Sequence, residues 1–178
     1  MAAAFLQHHL HAGGIGAVVT SAGTHAGSVL VDSVLVDPDA VKVMEERGLD
    51  IAAHKPCLLD LATVAEDGAD LVVAMTRAHL RAVAVMGPGV FQRSFTAKEL
   101  ARRTHRVMFQ RGPDETAFSA WRDAVGEGRL ARDLMGDEPG DDVADPYGES
   151  LAEHRSTADE LDALMAAIAR SIAAWVTT

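Results

Sequence analysis

One cysteine, one tyrosine and an aromatic fraction of only 4% are what this 178-residue chain is poorest in. A lone thiol, Cys57, cannot close a disulfide within the chain, so any fold must stand on its packed core. Such usage fits a reducing cytoplasm, where a single cysteine is commonly a small buried hydrophobe. No apolar run approaches the roughly 20 residues of a membrane span, because Asp, Arg or His interrupts each within a few positions. A basic, then apolar leader is missing too, since Met1 opens an Ala-rich amphipathic stretch, and no secretory signal is expected. Positive charge is also scarce. With 16 Lys and Arg against 26 Asp and Glu the net charge is -10, which argues against a nucleic-acid partner, whose phosphates ask for a basic face.

What is present is a hydrophobic fraction of 48%, carried by Ala, Val, Leu and Met, in a chain of single-domain length. The pattern predicts a helix over Met1 to His11, with Ala3, Leu6 and Leu10 inward and Gly13-Gly14 ending it. A short buried strand is expected at Ala17 to Thr20. Asp37 followed by Pro38 predicts a capped helix with Val41, Met44 and Gly48 on its inner side. The apolar run Leu71 to Ala74 reads as a parallel strand buried on both faces. A helix from Thr76 to about Met86, a strand over Val90 to Phe95 and a helix opened by the capping box Thr96-Ala97-Lys98-Glu99 should follow. Glu115 to Val125, with Trp121, predicts a further short helix. Leu161, Leu164, Ile168 and Ile172 form the core stripe of a long terminal helix opened by Ser150 and Glu153. Strands alternating with helices make this an α/β chain with a parallel sheet.

Five segments, taken in order, resemble the low-molecular-weight protein tyrosine phosphatases over most of the chain. They are Val18 to Thr24, Asp37 to Ile51, His54-Lys55-Pro56, Ala69 to His79, and Asp145-Pro146-Tyr147. The resemblance implies a three-layer sandwich, a parallel sheet flanked by helices, as one domain over 1–178 with a helical insertion at about 102–141. That insertion reads as a solvated addition in preference to a lid over a substrate. The family's defining strand and phosphate loop, C-x-x-x-x-x-R-S-P, does not occur in the chain, and Met1 to Leu6 looks like the residues just after it. The resemblance therefore implies that the first strand, the nucleophilic Cys and the phosphate-clamping Arg lie upstream of residue 1. The chain as written is then expected to be inactive.

By the same resemblance Asp145 is the catalytic general acid, and Tyr147 lines the pocket for the substrate ring. Ser21 and Thr24 would hydrogen-bond to the phosphate loop, and His54 would support it from behind. The implied substrate is a phosphotyrosine protein or another aryl phosphate, cleaved through a cysteinyl-phosphate intermediate. No cofactor and no membrane partner are expected. Cys57 is no substitute nucleophile, since neither a glycine nest nor an arginine follows it, and it reads as structural. His8 and His11 share a helix face but lack local acidic or thiol partners, so they do not read as metal ligands. Gly13-Gly14-Ile15-Gly16 follows a helix, the reverse of a nucleotide fingerprint. A non-catalytic binding relative is the alternative; an arsenate reductase would need further cysteines.

Overall fold

The computed structural model of the protein describes residues 1–24, 36–65, 68–107, 117–134 and 139–177. They fall into two compact units: Met1–Leu59 with Ala144–Ala166, and Asp60–Val143 with Ala167–Thr178.

In the first unit, helix α1 spans Ala2–Ala12 and buries Phe5, Leu6 and Leu10. Phe5 takes the inward place expected of Ala3. Gly14 ends the helix at φ 75°, a left-handed conformation that costs glycine nothing, and the Ile15 N–H returns to the Leu10 carbonyl at 2.9 Å. The predicted strand at Ala17 to Thr20 is not formed. The Gln7 side chain takes its backbone groups instead, donating to the Ala17 carbonyl and accepting from the Val19 N–H, both at 2.9 Å. Val18 is 91% exposed, so this apolar run has no core to enter. A single parallel bridge, Gly23 with Leu58, follows.

Helix α2, Pro38–Glu45, begins as predicted. The Asp37 carboxylate accepts from the Asp39 and Ala40 N–H groups at 2.8 and 3.2 Å, and Pro38 sits where a missing N–H costs nothing. Its buried face is Ala40, Val43 and Met44, one step round from the predicted Val41.

The second unit carries the sheet. Strand β1, Val72–Ala74, pairs in parallel with β2, Ser94–Thr96, through helix α3, Arg77–Ala84. Thr76 caps α3 by accepting from the His79 N–H. Strand β1 is only half-buried at Val72 and Val73 rather than covered on both faces. Strand β2 is shorter than predicted because Phe91–Arg93 coils into a 3-10 turn first. Helix α4, Ala97–Val107, follows with Thr96 accepting from the Glu99 N–H at 3.1 Å. Helix α4 contacts α5, Phe118–Gly126. Trp121 is completely buried and donates its indole N–H to the Ser171 hydroxyl at 3.0 Å, so this part of the 102–141 segment is core rather than solvated addition. The predicted start of that helix, Glu115, lies outside the described residues. Helix α6, Leu151–Val176, gives residues to both units. Leu161, Met165, Ile168 and Ile172 are its buried stripe, Met165 replacing the predicted Leu164.

Candidate active site

Asp145 stands in a turn built by its own neighbours. The Tyr147 N–H donates to the Asp145 carboxylate at 3.1 Å, and the Glu149 N–H closes the turn onto the Pro146 carbonyl at 2.9 Å. Gly148 at φ 79° occupies the third position, where a turn of this kind needs a left-handed residue. The carboxylate is exposed, and the Tyr147 ring beside it is 79% exposed. Helix α6 then starts, with the Ser150 hydroxyl accepting from the Glu153 N–H at 3.3 Å.

Two other carboxylates precede this loop, and both are committed elsewhere. Asp141 is buried and pairs with Arg77 and Arg102, while Asp142 accepts the Arg77 backbone N–H at 2.7 Å and so caps α3. Of the three, Asp145 alone is exposed, and among the described residues it makes no ion pair.

Ser21 and His54 are brought together, the hydroxyl lying 3.3 Å from Nε2 of the ring. Both are exposed, and the His54 N–H is anchored on the Ile51 carbonyl at 3.0 Å. Thr24 is half-buried one residue after the Gly23 bridge. Cys57 joins this group, which the sequence did not foretell. Its thiol donates to the Ser21 carbonyl at 3.1 Å and its carbonyl accepts from the Gly23 N–H at 2.9 Å. It is exposed rather than buried. With the Leu59 N–H donating to the Gly23 carbonyl at 2.9 Å, these bonds tie Ser21 to Gly23 to the segment Cys57 to Leu59. Among the described residues no hydrogen bond joins Asp145 or Tyr147 to Ser21 or His54.

Among the described residues no group of three His, Cys, Asp or Glu side chains could hold a metal ion. Of the N-terminal histidines, His9 is occupied, its Nε2 lying 2.6 Å from the Asp162 carboxylate. No described helix is long and apolar enough to cross a membrane.

Residues 1–105 match the low molecular weight phosphotyrosine protein phosphatase family. The chain belongs to this family. Solved structures agree in fold. The low molecular weight protein tyrosine phosphatase from T. tengcongensis is 26% identical, with a TM-score of 0.63 over 94% of this chain and 86% of that one. Vibrio vulnificus Wzb, solved in complex with benzylphosphonate, is 19% identical at a TM-score of 0.64 over 95% and 86%. The YwlE arginine phosphatase from Geobacillus stearothermophilus is 23% identical at a TM-score of 0.61 over 95% and 80%. At such identities the last two speak for the α/β fold, a helix-flanked parallel sheet. No curated protein matches the chain.

Proposed function

We propose that residues 1–178 form one phosphatase-like domain, with 102–141 as its insertion, that acts on phosphotyrosine or a related aryl phosphate in the cytoplasm. The observation that carries this reading is the Asp145 turn, in which an exposed carboxylate, without an ion pair among the described residues, sits beside an exposed aromatic ring. A carboxyl group so presented can protonate a leaving phenolic oxygen, and the Tyr147 face can stack on the departing ring. In the proposed reaction a cysteine thiolate displaces the phenol from phosphorus while Asp145 gives it a proton. Water then attacks the phosphocysteine, passing its proton to Asp145 as phosphate leaves. Ser21, Thr24 and His54 are assigned to shaping the loop that carries the nucleophile.

The 178 residues contain no C-x5-R segment, so by themselves they supply the acid without the nucleophile or the phosphate clamp. The chain alone should leave p-nitrophenyl phosphate intact; measurable turnover by it would overturn that part of the reading. Extended at its N-terminus by a strand and a C-x5-R-S-P loop, it should hydrolyse the same substrate, and Asp145→Asn should then slow turnover about a hundredfold. An extended chain that binds phosphotyrosine without hydrolysing it would make the protein a non-catalytic binding relative instead.

A further inference from the structure

The second unit contains a cleft of about 760 Å³ that shares no residue with the Asp145 turn or the Ser21 group. Among the described residues its wall holds six arginines against three carboxylates, in a chain whose net charge is -10. That reversal is local, and the partners of each group decide what it means.

Every carboxylate in the wall is already engaged. Glu99 accepts from Arg103 at 2.9 Å and from Arg129 at 2.8 Å. Asp141 pairs with Arg77 and Arg102, and Asp133 accepts the Leu130 N–H at 2.9 Å. Three arginines are likewise fixed in the fold, since Arg77, Arg103 and Arg129 also donate to backbone carbonyls of Asp133, Val125 and Ser94. Arg102, whose side chain is 60% exposed, pairs with Asp141 through one of its guanidinium nitrogens. Arg106 and Arg132 are exposed and have no hydrogen bond or ion pair among the described residues. Among the described residues, an anion entering the cleft therefore meets guanidinium groups that outnumber the carboxylates, two of which, Glu99 and Asp141, are already paired with arginines.

Guanidinium forks match phosphate oxygens two at a time, and several around one concavity suit a ligand carrying more than one phosphate. Leu80, Phe91 and Leu134 add apolar surface to the same wall. A volume of about 760 Å³ lies within the range of small-molecule sites and exceeds what a single phosphate fills. We infer that this cleft binds a small molecule with two or more phosphate groups, held by Arg102, Arg106 and Arg132.

The test is calorimetric titration of the 178-residue protein with inorganic tripolyphosphate and, separately, with ADP, at low and near-physiological salt. Saturable one-to-one binding that weakens as salt rises is expected. The double variant R106Q/R132Q should weaken it at least about tenfold, as loss of two charge-assisted contacts implies, with an unchanged thermal melt because both side chains are exposed. Arg170→Gln, an exposed arginine of α6 outside the cleft, should leave binding as it was. ADP bound as tightly as tripolyphosphate would identify an organic phosphate ligand, and tripolyphosphate alone a free polyanion. Absence of saturable binding by either, or binding that survives R106Q/R132Q, would overturn the assignment.

Discussion

In the unit built from Asp60–Val143 and Ala167–Thr178, the Arg129 guanidinium is 4% exposed and fully used: it grips Glu99, donates to the Phe91 and Ser94 carbonyls at 3.0 and 2.7 Å, and lies over the Phe91 and Phe95 rings. In the unit built from Met1–Leu59 and Ala144–Ala166, by contrast, Ser21, His54, Asp145 and Tyr147 are all exposed and make few bonds beyond their own neighbours. The first unit keeps these groups available, whereas in the second Arg77, Arg103 and Arg129 are spent on structure and only Arg102, Arg106 and Arg132 stay open to the cleft. A guanidinium desolvated in this way is tolerable only with its counter-ion and acceptors in place. Burial pulls the Arg129 pKa below the usual arginine value, and the Glu99 charge and hydrogen bond oppose that pull.

The sharpest way to break this contrast is to remove one member from each side. Arg129→Met keeps an apolar stem but leaves Glu99 with Arg103 alone and strips the part-buried Phe91 and Ser94 carbonyls of this donor. It should lower stability by about 3–5 kcal/mol. Ser21→Ala touches only an exposed 3.3 Å contact to His54 and should stay within about 0.5 kcal/mol of the parent. Both are read by urea denaturation. Similar losses for the two would mean that the Ser21 group carries stability after all, and the division between the units would fail.

Within the first unit Asp37 is the exception that sharpens the rule. Its carboxylate caps α2 and also faces the buried His154 ring, whose Nε2 is 3.4 Å away while Nδ1 lies 3.1 Å from the Ser150 carbonyl. Asp37→Ala should cost about 1–2 kcal/mol, the value of a lost cap, whereas Asp37→Asn keeps an accepting oxygen and should cost only a few tenths. Thermal melts of the two variants decide it. Equal losses would show that the charge facing His154, and not the cap, is what matters.

Local signals explain why some of this was legible in advance. Asp37-Pro38, Thr76, Thr96 and Ser150 start their helices where the sequence puts them, because a cap is settled within three or four residues. Ala17 to Thr20 failed for the opposite reason. A strand is completed by a partner far away in sequence, and here the nearby Gln7 amide takes the backbone groups first. The Asp145 turn was readable from Pro146 and Gly148, since both act on their own dihedral angles. The Arg129 network was not, because it gathers Phe91, Ser94 and Glu99 from 30 to 38 positions away. Nor was the placement of Cys57 against Ser21, 36 positions apart.

The smallest expected effect tests whether an exposed pair behaves differently from the buried one. Arg155 donates to both oxygens of Glu46, at 2.6 and 2.9 Å, and that hydrogen bond is the first reason the Glu46 carboxyl is held below the usual glutamate range, with partial desolvation opposing it. A carboxyl depressed in the folded state contributes stability that is present above its unfolded pKa and fades as pH falls through the lower folded value. Arg155→Gln should therefore return the Glu46 titration toward the ordinary glutamate range, as followed by carboxyl-carbon NMR, with little change in melting temperature at neutral pH because exposed pairs are weak. Raising the salt concentration should move the parent's Glu46 titration the same way, while Arg129 and Glu99, shielded from solvent, stay paired. A Glu46 titration indifferent to both changes would mean that Arg155 does not hold it in solution.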